Sequence, residues 1–257
     1  MWYQILQYFK FLFKSSNQHG VHSPFVYDVI TTCFYDKTTY PDYDSINAYR
    51  KALLNNKTKI KVTDLGAGSQ VMGQQDRLIC SIAKNAGTTK KRARLLFRLT
   101  QYFKPSNSLE LGTSLGIGTY AMGLGHKKGT VTTIEGCPNT AAFSKKNVEA
   151  VNAKNIEFIT GDFKNNIENL TTNTYDFIFF DGNHQKEATI HYFETLLKTA
   201  NNNTVLIFDD IYWSKGMTEA WETIKKHPRV TVSIDTFFWG FIFFRTEQVK
   251  EHFIVRV

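Results

Sequence analysis

Cysteine is scarce in this chain of 257 residues: there are three, Cys33, Cys80 and Cys137, far apart and odd in number. That excludes a disulfide framework and a zinc site of the Cys-x-x-Cys kind, and it suits a reducing compartment, so a cytoplasmic location is expected. Long apolar runs are missing as well. The longest uncharged one, Phe237–Phe244, covers eight residues, whereas a membrane-spanning helix needs about 20. The opening stretch from Met1 to Phe13 has neither a basic leader nor a small-residue cleavage site, so secretion is not expected. What is present is an ordinary soluble composition, 42% apolar and 14% aromatic, with a mean hydropathy of −0.30. At 29.5 kDa the chain is long enough to bury a full core without covalent staples.

The net charge of +8 is unevenly spread. Residues 1–104 hold 16 Lys and Arg against 6 Asp and Glu, and residues 105–257 hold 15 against 17. A shift of this size divides the chain into an N-terminal helical cap or extension, 1–104, and a second region, 105–257. The basic region has two readings: a surface for nucleic acid, an anionic membrane or an acidic substrate, or a solvated helical face.

Two glycine-rich turns follow candidate strands. One is Ile60-Lys-Val-Thr-Asp-Leu-Gly-Ala-Gly-Ser69, the other Ser108-Leu-Glu-Leu-Gly-Thr-Ser-Leu-Gly-Ile-Gly-Thr119. Glycine lets the backbone turn sharply and approach a bound nucleotide, and the following helix presents unpaired N–H groups to it. A nucleoside-binding βαβ unit then needs a second strand ending in an acid about 20 residues on, to hold the ribose hydroxyls. After Gly66 the segment Gln75–Lys104 is basic and helix-like, without such a strand. After Gly112 come a short helical pattern, Gly118–Leu124, the turn His126–Gly129 and the strand Thr130–Ile134, which ends at Glu135. The second loop is therefore the nucleotide-type loop, and the first reads as a turn.

From Leu109 onward strands are expected at 108–111, 130–134, 155–159, 175–180 and 204–208, with helices at 138–152, 185–200 and 216–226. Such alternation argues for a parallel sheet covered by helices on both faces. The runs Arg229–Asp235 and Trp239–Arg245 read as an antiparallel hairpin at the sheet edge.

In this order the motifs of residues 105–245 resemble the class I S-adenosylmethionine-dependent methyltransferases. Leu109-Glu-Leu-Gly-Thr-Ser-Leu-Gly-Ile-Gly118 is similar to the motif that wraps the methionine and ribose of the cofactor. The resemblance thereby implies cofactor contacts at Glu110, Gly112, Ser114, Gly116 and Gly118. It casts Glu135 as the acid that grips the ribose hydroxyls, Asp162 as the acceptor of the adenine amino group with Phe163 beside the ring, and Asp181, at the end of the fourth strand, as a further cofactor contact. The implied fold is a Rossmann-like α/β sheet of seven strands, mostly parallel with a reversed C-terminal strand. A helix cap or loop hydrogen bond is the plain alternative for Glu110 and Asp162.

Val205-Leu-Ile-Phe-Asp-Asp-Ile-Tyr-Trp-Ser-Lys-Gly216 resembles more narrowly the strand-five segment of metal-dependent O-methyltransferases of the catechol and caffeoyl-CoA type. That resemblance assigns metal-ligand roles to Asp181, Asp209 and Asp210. Three carboxylates at the ends of neighbouring strands would repel one another, and a hard divalent cation, Mg²⁺ above others, would resolve the conflict and leave positions for substrate oxygens. Alternatively Asp181 orients the cofactor while Asp209 or Asp210 caps the next helix. Where these relatives carry a lysine as base, three residues after the strand-four acid, this chain has His184, a residue type able to accept a proton near neutral pH. Lys186 and Lys215 are secondary candidates, and an exposed loop position is the plain reading of His184.

The first fourteen residues place Trp2, Leu6, Phe9 and Phe13 at helical spacing, with Ile5 and Leu12 beside them and Lys10 and Lys14 between. Packing on the catalytic domain or in a homodimer is expected ahead of contact with an anionic membrane. Ser23-Pro24 reads as a helix start, and His19 and His22 precede it. Leu78–Phe103, with the basic run Lys90–Arg94, looks superficially like a helix-turn-helix. Its apolar members Leu95, Leu96, Leu99 and Phe103 suit one buried helix face instead, so a nucleic-acid partner is not expected.

The expected activity is O-methylation of a small hydroxylated acceptor with a divalent metal assisting, His184 and Asp181 being the catalytic residues. A metal-free transferase acting on a lipid or RNA is the alternative among enzymes. A nucleic-acid-binding regulator is the alternative outside them.

Overall fold

The computed structural model describes residues 2–63 and 76–257. In chain order the elements are α1 (Trp2–Lys14), α2 (Pro24–Val29), α3 (Asp42–Asn55), β1 (Lys59–Lys61), β2 (Asp76–Leu78), α4 (Ile79–Asn85) and α5 (Lys90–Phe103). Then follow β3 (Asn107–Leu111), α6 (Ile117–Gly125), β4 (Thr130–Glu135), α7 (Pro138–Ala150), β5 (Ile156–Thr160) and α8 (Phe163–Leu170). The last are β6 (Phe177–Phe180), α9 (Lys186–Leu196), β7 (Val205–Asp209), α10 (Lys215–Lys226), β8 (Val232–Asp235), β9 (Trp239–Phe243) and β10 (Glu251–Ile254).

The expected α/β class is borne out: β3 to β10 form a mostly parallel sheet of eight strands. Two compact units divide the chain, one made of Met1–Asp36 with Ile167–Val257, the other of Lys37–Asn166. In the first the strand order is β10-β8-β9-β7-β6, and in the second β3-β4-β5. In the described part of this sheet β9 runs against its neighbours β7 and β8, while β6 with β7, β3 with β4, β4 with β5, and β10 with β8 are parallel. The sequence leads to seven strands with the reversed one last. An eighth follows it, because Glu251–Ile254 adds to the outer edge of β8 in parallel register.

The central strands are apolar throughout, as strands covered on both faces must be. Every residue of β6 (FIFF) and β7 (VLIFD) is buried. Helix starts follow their capping chemistry: Ser23 Oγ accepts the Val26 N–H at 3.3 Å ahead of Pro24, and Ser214 Oγ accepts the Met217 N–H at 3.1 Å. The helix expected at Leu95–Phe103 is α5, with Leu95, Leu96 and Leu99 buried as the periodicity requires. Within the same unit two of its basic residues are engaged on one ring, Arg94 lying 4.5 Å over Tyr43 and Arg98 Nη1 donating to Tyr43 Oη at 2.9 Å.

The chain's beginning and end are tied together. Ser16 N–H donates to the Ile254 carbonyl at 2.9 Å, Arg256 N–H to the Ser16 carbonyl at 3.0 Å, and Tyr35 Oη to the Arg256 carbonyl at 2.5 Å. No described helix is long and apolar enough to cross a membrane.

Candidate functional site

In the unit Lys37–Asn166, the loop between β3 and α6 is held in a turn that few residue types accept. Gly112 (φ 112°), Ser114 (φ 48°) and Gly116 (φ 75°) are all left-handed. A side chain at Gly116 would also come within 3.0 Å of Val148 Cγ2, so glycine is required there on both counts. Of the expected site residues of this unit, Gly112, Ser114 and Gly116 form the loop, and Glu135 and Glu110 are bonded to it or to the strands and helix that flank it. Glu135, at the end of β4, accepts the Ser114 N–H through Oε2 at 2.8 Å and the Cys137 N–H through Oε1 at 3.0 Å. The Gly112 and Thr113 N–H groups both reach the Ile134 carbonyl.

Further side chains, which sequence patterns do not single out, fix the same loop. Tyr49 Oη donates to the Leu115 carbonyl at 2.9 Å and Ser144 Oγ to the Ser114 carbonyl at 2.5 Å. The only signal for them in the sequence would have been polar groups on otherwise apolar helix faces.

Glu110 lies fully buried in β3. Thr119 Oγ1 and Thr133 Oγ1 both donate to its Oε2, at 2.5 and 2.6 Å, and the Thr113 hydroxyl is 2.6 Å from that of Thr133. Burial pushes the Glu110 carboxyl up to about 7 against the pull of the two threonine hydroxyls, and the Glu135 charge pushes the same way. Gly118 is the floor beneath it: an added Cβ would stand 2.9 Å from Glu110 Oε1. Asp162, just ahead of α8, accepts the Lys164 N–H at 3.0 Å through Oδ1, so the helix-cap geometry considered for it is present. Phe163, half-buried, is the first residue of α8. Of the alternative glycine loop Ile60–Ser69, Lys59–Lys61 form β1, and residues 64–69 lie outside the described ones.

In the unit Met1–Asp36 with Ile167–Val257, the acids stand where the sheet order requires. Phe180 of β6 pairs with Phe208 of β7, so Asp181 and Asp209 are the next positions of two adjacent parallel strands. Asn183 (φ 66°) and His184 (φ 34°) form a left-handed turn between Asp181 and α9, steadied by Asn183 Nδ2 donating to Tyr192 Oη at 3.0 Å. Asp209 is buried and its Oδ1 accepts the N–H of Asp210 at 2.8 Å. Asp210 is left-handed (φ 53°), and its carbonyl accepts the Trp213 N–H at 2.8 Å.

The expected metal centre does not form from these acids. Among the described residues no three His, Cys, Asp or Glu side chains are grouped so as to hold an ion. The two lysines considered as backup bases are tied to one acid, Lys186 to Glu219 at 2.7 Å and Lys215 to Glu219 at 3.9 Å.

The segment after these acids is anchored by a buried cluster. Asp235 Oδ2 accepts from Tyr212 Oη at 2.6 Å and from Trp221 Nε1 at 3.4 Å, and its Oδ1 accepts from the Phe237 N–H at 2.8 Å. Burial pushes both the Asp235 carboxyl and the Tyr212 hydroxyl up. Tyr212 stacks on Phe237 at 5.0 Å.

Residues 109–211 match a family described as a methyltransferase domain. Comparison with curated proteins by sequence finds no match. Among solved structures, the chain is similar to a methyltransferase of Podospora anserina bound to SAH, with 14% identity over 88% of this chain and 97% of that one and a TM-score of 0.62. It is similar to an O-methyltransferase of Bacillus cereus in complex with SAH, with 20% identity, coverage of 84% and 94%, and a TM-score of 0.55. A third is a putative caffeoyl-CoA O-methyltransferase of Staphylococcus aureus, with 20% identity, coverage of 59% and 81%, and a TM-score of 0.52.

Proposed function

We propose that this chain, a class I S-adenosylmethionine-dependent methyltransferase whose methyltransferase domain matches over residues 109–211, passes the methyl group to a hydroxyl oxygen of a small acceptor. The observation that carries the cofactor half of this reading is the preformed loop at 112–116, bound at Ser114 to the same Glu135 that ends the next strand. A loop already in its bound shape gives up little conformational freedom when the ligand arrives, and that favours affinity. In this reading Glu110, Gly112, Ser114, Gly116 and Gly118 line the methionine and ribose end. Glu135 takes the ribose hydroxyls, and Asp162 and Phe163 the adenine. Relatives named as O-methyltransferases support oxygen as the acceptor atom.

The transfer itself asks for positioning and a proton acceptor. A lone pair of the acceptor oxygen attacks the methyl carbon in line with the carbon–sulfur bond. That bond breaks, its electrons return to sulfur, and the cationic sulfonium becomes the neutral thioether of S-adenosylhomocysteine. The hydroxyl proton passes to an imidazole nitrogen of His184, and the left-handed turn it shares with Asn183, just after the strand-end Asp181, supports that reading. Among the described residues no ligand group gathers at the three aspartates, and no step of this reading is routed through a metal.

The test is calorimetric titration of S-adenosylmethionine and S-adenosylhomocysteine on the wild type and on Glu135→Ala, followed by transfer of a labelled methyl group to hydroxylated acceptors. Binding that the substitution weakens, with label recovered as an ether, supports the reading. Absence of binding by either compound overturns the cofactor assignment, and label on nitrogen or carbon overturns the acceptor assignment.

A further inference from the structure

The sequence leads to α1 packing its apolar stripe on the catalytic domain or in a homodimer, and in the structure the stripe faces away from its own chain. Trp2, Leu6, Phe9 and Phe13, one face at helical spacing, are 80%, 58%, 55% and 89% exposed. The opposite face carries the attachment: Phe11 is buried, with its ring 5.5 Å from that of Phe237, and Tyr8 meets Phe237 edge-on at 4.9 Å. Beyond the helix, the Ser16 N–H bond to Ile254 fixes its C-terminal end. The helix is thus held with four large apolar side chains outward.

Charge decides what covers them. Lys10 and Lys14 lie along the stripe, α1 has no acid, and the first acid in the chain is Asp28. A second copy laid against this face would set lysines against lysines with no carboxylate on either helix to offset them. An anionic surface with an apolar interior meets both features at once, and a helix of this composition, with a tryptophan near one end, has the make-up of an interfacial helix.

We propose that α1 docks the protein on an anionic bilayer surface, with Trp2, Leu6, Phe9 and Phe13 entering the boundary between headgroups and acyl chains while Lys10 and Lys14 meet the acidic headgroups. Apolar burial and charge attraction act together, so either alone gives weak, reversible attachment. The proposal stands on the exposure and charge of α1 and does not rest on the methyl-transfer reading.

The experiment is co-sedimentation of the full chain with vesicles of phosphatidylcholine alone and of phosphatidylcholine with about one third phosphatidylglycerol. The wild type is compared with Leu6→Gln/Phe9→Gln and with Lys10→Gln/Lys14→Gln. All four positions are exposed, and thermal melting confirms that each variant is folded. The wild type is expected to partition onto the anionic vesicles at least about tenfold better than onto neutral ones. The apolar pair should lose binding to both, and the lysine pair should fall to the neutral-vesicle level. A wild type that stays in the supernatant with anionic vesicles overturns the proposal. So does light scattering that finds a dimer which Leu6→Gln/Phe9→Gln converts to monomer, because the stripe is then an interface between copies.

Discussion

Glu135 Oε2 accepts the backbone N–H of Ser114 at 2.8 Å, so the acid that ends β4 sets the shape of the loop that follows β3. The bond is charge-assisted, a kind that contributes roughly 1.5–3 kcal/mol. Glu135→Ala removes it along with the bond to the Cys137 N–H. Affinity for S-adenosylmethionine should fall at least about tenfold, as that energy range implies, and the melting temperature should drop as well. Glu135→Gln retains one acceptor oxygen and should recover part of both in parallel titrations and melts.

Glu110 makes stability depend on pH. Its folded carboxyl holds a proton up to about 7, against an ordinary 4.5, chiefly because it is buried. A raised value means that the folded state binds the proton more tightly. The contribution is therefore fully present below about 4.5 and is lost as pH rises through about 7, a swing of order 3 kcal/mol. Glu110→Gln keeps an oxygen to accept from Thr119 and Thr133 and does not ionise. Denaturant unfolding should show the variant gaining on the wild type between pH 5 and pH 8, and parallel curves across that window would count against the assignment.

Gly118 and Glu110 are too close for a methyl group to fit between them. Gly118→Ala places a Cβ 2.9 Å from Oε1 and 3.3 Å from Leu96 Cδ1 and from Thr88 Oγ1. Overpacking of this kind costs about 1–3 kcal/mol. A lowered denaturation midpoint with an unchanged m-value is the expected result, together with weaker cofactor binding as the Glu110 carboxyl is displaced.

His184 and the aspartates separate on kinetics. His184→Ala should lower kcat by about 10²–10⁴ and leave S-adenosylmethionine affinity unchanged, as loss of a proton acceptor does. Because Asp181, Asp209 and Asp210 do not form a ligand group, the rate should survive a chelator. A rate abolished by chelator and restored by Mg²⁺ would show that the acids converge once acceptor and ion are bound.

Much of this was legible in the sequence, for local reasons. The run from β3 through α6 to β4 announces itself because glycines at left-handed positions and an acid at a strand end are requirements of the backbone. β6 and β7 announce themselves as unbroken apolar runs. What the sequence hides depends on partners distant in the chain. Periodicity finds the stripe of α1 but not that Phe11, on the other face, is the side chain Phe237 takes. β10 is four residues with one buried side chain, Phe253, too short and polar to stand out without β8 beside it. The Asp209-Asp210 pair reads as two ligands in the sequence, while in the structure one Asp209 oxygen already accepts the Asp210 N–H and Asp210 stands in a left-handed turn, neither of which the residue types announce.

The Ser16–Val255 bridge carries a consequence for biosynthesis. Phe11 and Ser16 are synthesised long before the residues that hold them, so Phe11 waits for Phe237, and Ser16 for Ile254. Throughout that interval α1 lacks the ring that Phe11 packs on, and the helix is a natural client for a chaperone or for any nearby lipid. A chain stopped just short of Ile254 would accordingly come undone around Ser16, far from the cut.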